Sequence, residues 1–336
     1  MVSIAANGTL TLGSGASNLN LSGSITNAGT FAAGSASTVN YKGNTTQTIA
    51  ALNYYHLTSS GSGNRTLAAA GTIGVAGAFT NGTNVYTNTG STLNFNGTGA
   101  QTVPAFSYNN LTISGAHGTN NVTVANTGTV NIAGAITNSS TYSTGSLVTT
   151  GSTINFNGSG AQTINTFPYH HLSVTKPAGV TASTVNNNNI AVAGNCTVFT
   201  GILSVGTGGT VVGQLAEYTL SGNPASSILE VKNGAKLVLL GTSAFPSSFP
   251  LTLWNNIIFN PNSDLEYASV GAQTVAAYQY GNLICSGAAG TRTLASAGNI
   301  KIAGSFTPNL GSINYTITGS TIEYNGTGSQ TITPFN

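Results

Sequence analysis

One frame of residues recurs along this chain and constrains its fold more than any other feature. Residues 95–111 read FNGTGAQTVPAFSYNNL: an aromatic, Gln six positions on, Tyr seven after that, and Leu three further. The same spacing holds at 41–57, 156–172 and 267–283, and a fifth copy begins at Tyr324 and runs to 336. A fixed internal spacing repeated several times is the signature of an array in which each unit stacks on its neighbours. The repeated positions are Gln47, Gln101, Gln162, Gln273 and Gln330, with Tyr54, Tyr108, Tyr169 and Tyr280. Repetition of this kind points to a structural role, and a Gln side chain has the donors and acceptor needed to satisfy the backbone of a turn.

The stretches between blocks carry a second landmark. An apolar-Ala-Gly triplet follows each complete block, as Val75-Ala76-Gly77, Ile132-Ala133-Gly134, Val192-Ala193-Gly194 and Ile302-Ala303-Gly304. Its distance from the block Leu varies little, while the distance onward to the next block varies more. Each repeat of roughly 54 to 61 residues thereby divides into three parts of about 19. Short alternating runs such as Thr92-Leu93-Asn94-Phe95 and Ile300-Lys301-Ile302, punctuated by Gly, Asn and Ser, read as strands and turns, and no window has helical periodicity. A coil of a parallel β-helix has about this length, and its outward turns tolerate insertions while its paired strands do not. The expectation is an all-β fold: one elongated, right-handed parallel β-solenoid over residues 1–336, about 19 residues per coil, three coils per repeat and roughly 17 coils in all.

Composition narrows the function. Only 12 of 336 residues are charged and the net charge is +2, which excludes a basic surface for nucleic acid. No apolar run is long enough for a transmembrane helix. Met1-Val2-Ser3 does not open a signal peptide. A nearly chargeless, hydroxyl- and amide-rich β-protein is expected outside the cell, with its targeting segment elsewhere in a longer parent. Both ends enter mid-repeat, which reads as an excerpt; head-to-tail stacking of separate copies is the alternative.

One region departs from the rhythm. The interval from Gln162 to Gln273 is close to two repeats, yet the middle block is missing. Residues 214–266 replace it and hold the single Trp, four of nine prolines and six of the twelve charges. It is expected to continue the solenoid with different coils and a longer outward loop at 241–250. Trp254, Asp264 and Glu266 mark where a ligand would first be sought.

Catalytic and metal constellations are sparse. Asp264 and Glu266 are the closest acidic pair, about 7 Å apart along one strand face, a separation two glycosidase carboxyls can have. Glu266, however, occupies the position that Asn94 and Asn155 hold in other repeats, so a surface pair is expected. His170 and His171 are adjacent and face opposite ways in a strand, while His56 lies two repeats away, so no shared metal ion is expected. A single Asp rules out a calcium-binding coil array. Cys196 and Cys285 align with Ile136 and Ile113, apolar inward slots several coils apart, and are expected to be buried free thiols. Thr-x-Thr rows do not recur coil by coil, as an ice-binding face would need. No cofactor is expected.

The pattern of Ser91–Gly115 and Ser320–Thr333 resembles repeats of very large β-helical surface proteins of Gram-negative bacteria, Bacteroidota-type above all, many exported by type IX secretion. They are similar in architecture to filamentous-haemagglutinin-like adhesins. The tract Glu217-Tyr218-Thr219-Leu220-Ser221-Gly222 resembles a neighbouring unit of those proteins. The resemblance implies a non-enzymatic structural or adhesive segment of a cell-surface fibre. Its partners would be secretion machinery during export and surface or matrix glycans or proteins afterwards. A carbohydrate-active β-helix and a self-assembling extracellular filament are the alternatives.

Overall fold

Alternation of apolar and polar residues in short runs makes short strands, each burying one face. Thr92–Phe95 and Asn110–Ile113 show it: Leu93, Phe95, Leu111 and Ile113 are buried while their neighbours are partly exposed. The structure, a computed structural model, describes residues 1–213, 220–241, 256–287, 290–309, 313–317 and 319–334. Among them there is no helix, and the strands stack in parallel as a β-solenoid of about 13 turns, about 22 residues apart. Contacts divide the chain into two units, Met1–Ser152 and Thr153–Asn336.

In the first unit, three strands make most turns. Thr38–Tyr41, Gln47–Ile49 and Asn53–Tyr54 pair one turn later with His56–Ser59, Arg65–Leu67 and Thr72–Val75. The block is therefore one closed coil: its aromatic strand, Gln strand and Tyr strand occupy three faces, and its Leu returns to the first. That coil is 18 residues long, the separation of Thr92 from Asn110 and of Asp264 from Asn282, which pair in register in the first and second units. The pairs Val39↔Leu57 and Ile154↔Leu172 give the same length in the other two complete blocks. Elsewhere longer turns lengthen the coil, as between Lys236 and its partner Asp264. This is why about 13 turns form rather than the roughly 17 expected from a uniform, shorter coil.

The expectation of three coils per repeat needs correcting. Tyr54 pairs with Val75, and Val75 with Phe95, the aromatic that opens the next block. In the second unit Tyr280 pairs with Ile302 and Ile302 with Tyr324 in the same way. A block thus starts on the face where the previous block's Tyr sits. Within each unit such a repeat advances by two turns and two of three faces, so that the next block is displaced by one face around the coil. The physical reason is that ladder registry requires only an inward residue above an inward residue; Val75 serves Tyr54 and Phe95 equally.

The irregular region obeys the same rule with extra turns. Tyr169 bridges to Val192, which pairs with Gly213, then Leu239, then Tyr267. Four steps replace two, so the stretch that lacks a block adds two turns to the ladder. The loop expected at 241–250 lies, apart from Gly241, outside the described residues. Cys196 and Cys285 are buried and free, paired in register with Leu172 and Tyr267, and burial pushes their thiols up to about 12 and about 11.

Candidate functional site

Each block places its polar side chains on the backbone of a neighbouring turn. The block Gln accepts from the amide four residues before it: Gly43 N to Gln47 Oε1 is 2.7 Å, Gly97 to Gln101 2.9 Å, Gly158 to Gln162 2.8 Å, Ser269 to Gln273 3.1 Å and Gly326 to Gln330 2.8 Å. Gln101 Nε2 donates back to Val75 O and Gly77 O of the preceding turn. Gln47, Gln273 and Gln330 donate to the matching pairs Leu21 and Gly23, Leu239 and Gly241, Ile302 and Gly304. One amide thus ties a turn to its own coil and to the coil before, adding a second bond to the carbonyls of Leu21, Val75, Leu239 and Ile302, which already accept a backbone amide.

The block Tyr is fixed as locally. The hydroxyls of Tyr54, Tyr108, Tyr169 and Tyr280 donate to the carbonyls of Ala50, Pro104, Asn165 and Ala276, each four residues back, at 2.7 to 3.0 Å. Phe in these slots would remove that bond. Burial raises the pKa of all four phenols.

The residue before the block Leu explains the second landmark of the sequence. It is His56, Asn110, His171 or Asn282, and in every case it accepts the amide that follows the apolar-Ala-Gly triplet. Ala78 N reaches His56 Nδ1 at 3.0 Å, Ala135 N reaches Asn110 Oδ1 at 3.0 Å, Asn195 N reaches His171 Nδ1 at 2.9 Å and Ser305 N reaches Asn282 Oδ1 at 2.8 Å. A Cβ on Gly77, Gly134, Gly194 or Gly304 would come within 2.1 to 2.6 Å of that acceptor, so the triplet ends in Gly for close approach. His171 accepts through Nδ1, which requires a neutral ring, and burial followed by the neighbouring His170 lowers its pKa. The unfolded chain therefore binds more protons than the folded one below about pH 6.5. The His171 contribution is complete above that pH and declines as pH falls toward the depressed folded value. His171→Asn, which installs the acceptor used at Asn110 and Asn282, is expected to change stability by less than about 0.5 kcal/mol at neutral pH. It should also flatten the acid limb of a urea-midpoint-versus-pH curve. An unaltered acid limb would count against this role for His171.

A third device was not visible in the sequence. After each complete block a cationic or imidazole side chain turns inward onto carbonyls of the block's first turn. Arg65, fully buried, donates to Tyr41 O at 2.7 Å, Gly43 O at 3.3 Å, Gly63 O at 2.6 Å and Asn64 O at 3.1 Å, and also to Ser60 O. Arg292, also fully buried, repeats the pattern on Tyr267, Ser269, Gly271 and Ser286. Lys176 Nζ donates to Gly158 O, Gly160 O and Gln162 Oε1 at 2.5 to 2.9 Å, three acceptors for three ammonium hydrogens. His117 lies between Gly99 O and Ser114 O and stacks on Tyr142. Desolvation lowers the pKa of both guanidiniums and takes Lys176 down to about 8, still above neutral pH. Among the described residues no carboxylate takes part; converging carbonyl dipoles hold the charge. Both arginines pair in register with a block Gln, Arg65 with Gln47 and Arg292 with Gln273.

The residues singled out as a ligand region are arranged differently. Lys236, one turn before, sits 3.0 Å from Glu266 Oε2 and 3.8 Å from Asp264 Oδ2. Asn282 donates to Asp264 at 2.9 Å and Ser286 to Glu266 at 2.5 Å. The Ser286–Glu266 bond matches Ser60–Asn40, Ser114–Asn94 and Thr175–Asn155, so Glu266 performs the outer-row task its position has elsewhere. Trp254 lies outside the described residues. Among the described residues no group of three or more His, Cys, Asp or Glu could hold a metal ion, and no helix is long and apolar enough to cross a membrane. Comparison with protein-family models, curated proteins and solved structures finds no match.

Proposed function

We propose that this chain is a non-enzymatic structural and adhesive segment of an exported cell-surface fibre or stalk, meeting its partners through its length rather than through one site. One observation carries the reading: the recurrent polar side chains are engaged with the backbone of their own or adjacent turns, and the closest carboxylate pair is bridged by Lys236. What faces outward is mainly Thr, Ser, Asn and Gly. Because such a repeat displaces the next block of its unit by one face, such groups are distributed around the coil. That distribution suits weak, many-point contact with surface or matrix glycans or proteins, in which affinity comes from multiplicity. Export through a bacterial secretion system and an outer-surface location follow from this reading and from the resemblance of the repeats.

Beads coated with the protein at graded density, applied to glycan and matrix surfaces, test it. Retention should rise steeply with density while the soluble protein binds weakly. The same protein should release no reducing sugar from a polysaccharide panel. Turnover abolished by Asp264→Asn or Glu266→Gln would overturn the reading in favour of a carbohydrate-active enzyme. Tight one-to-one binding independent of density would overturn it in favour of a discrete receptor site.

A further inference from the structure

The chain contains six Asn-Gly dipeptides, at Asn7, Asn81, Asn96, Asn157, Asn233 and Asn325. This pair is chemically labile, because Gly has no side chain to keep its amide nitrogen from attacking the Asn side chain. Reaction requires that nitrogen to lose its proton and swing onto Cγ. In five of the six, the nitrogen is already engaged. Gly97, Gly158 and Gly326 donate to the block Gln at 2.8 to 2.9 Å. Gly8 and Gly234 donate to Ala5 O at 2.9 Å and Asn262 O at 2.8 Å. Gly82 differs. It is exposed, has φ +60° in a turn, and its nitrogen makes no hydrogen bond among those of the described residues.

We propose that Asn81 is a site of spontaneous deamidation, and that the block Gln is a guard which suppresses the same chemistry at Asn96, Asn157 and Asn325. The step balances with water as the only co-reactant. The Gly82 nitrogen gives its proton to solvent base and forms a bond to Asn81 Cγ; the bond from Cγ to the amide nitrogen breaks and ammonia leaves. Water opens the resulting succinimide to aspartate or isoaspartate. No group is oxidised or reduced. The product places a carboxylate, and in the isoaspartate an additional backbone atom, beside the carbonyl of residue 81 that accepts from Tyr86 Oη. On a surface with so few charges that is a large local change.

Folded protein held in mildly alkaline buffer and sampled by peptide mass mapping tests this. Asn81 should convert to aspartate and isoaspartate about tenfold faster than Asn96 or Asn157, the factor corresponding to one retained hydrogen bond. Gln101→Leu should raise the rate at Asn96 by a similar factor and leave Asn157 unchanged in the same molecule. Gln101→Glu keeps an acceptor for Gly97 and should leave Asn96 protected. In urea the dipeptides should converge to similar rates. Equal conversion of Asn81 and Asn96 in the folded wild-type protein would overturn the proposal, whether or not the variants fold. So would an unchanged Asn96 rate in a folded Gln101→Leu protein.

Discussion

Replacement of Arg65 by Ala is expected to destabilise the first unit by about 3–5 kcal/mol, the range seen when a large, fully buried side chain is cut back to Ala. The guanidinium is fully buried and its NH1 and NH2 groups donate to the carbonyls of Tyr41, Gly43, Ser60, Gly63 and Asn64. Without it these oxygens converge on a cavity. Those of Tyr41, Gly43, Gly63 and Asn64 keep one donor each, from Ser60 N, Gly63 N, Asn84 Nδ2 and Gln47 N, so the loss is that of the charge-assisted bonds and the packed volume. Arg65→Lys should recover part of the loss, since Lys176 fills the corresponding place with three bonds rather than five. Stacked coils can unfold in parts, so the measurement is amide exchange resolved by segment beside a urea titration followed by circular dichroism. Exchange should accelerate first at residues 41–67. A loss below about 1 kcal/mol would mean that water replaces the side chain and that the cation is not what joins these turns.

The second large effect is alkaline. Burial raises the phenol pKa of Tyr54, Tyr108, Tyr169 and Tyr280, and pushes Tyr267 up to about 12. A raised folded pKa means that the unfolded chain gives up its protons first, at about pH 10. The stabilisation is therefore complete below that pH and is lost as pH rises through the folded values. Each such Tyr contributes a slope of up to about 1.4 kcal/mol per pH unit. Five acting together should unfold both units over a narrow window above about pH 10, with tyrosinate absorbance and loss of β circular dichroism rising together. Tyr108→Phe sharpens the test. It should lower stability at neutral pH by about 1 kcal/mol, through loss of the bond to Pro104 O, and yet move the alkaline midpoint upward. Tyrosinate absorbance that appears while the fold persists would show that these phenols ionise in place.

The two devices also explain which parts of this protein could be read from its residues. The block Gln and Tyr were legible because each acts on backbone four residues away, a distance fixed along the chain; spacing and bond are the same fact. The apolar slots of Cys196 and Cys285 were legible because inward positions alternate with period two and align between repeats. The His or Asn before the block Leu was harder. Its partner is the amide after the Ala-Gly triplet, 22 to 25 residues on, and the two halves of the signal are separated by turns of varying length.

The cation slot shows the limit. Arg65, His117, Lys176 and Arg292 each stand at a different distance from their block aromatics Tyr41, Phe95, Phe156 and Tyr267, and three residue types fill the place. Only the closed coil brings each of them to the carbonyls of the block's first turn. The number of turns per repeat was hidden for a related reason. Landmarks at nearly even spacing suggest three equal coils, but coil length is set by whichever turn closes the ring, and registry asks only for an inward residue above an inward residue. By itself, then, the sequence determined the parallel β-solenoid and the fixed spacing within each block, because alternation and spacing are properties of the local chain. Tertiary structure alone decided that blocks within a unit step by one face around the coil, and that carbonyl oxygens from separate segments converge on a buried cation, because both depend on which turns lie against one another.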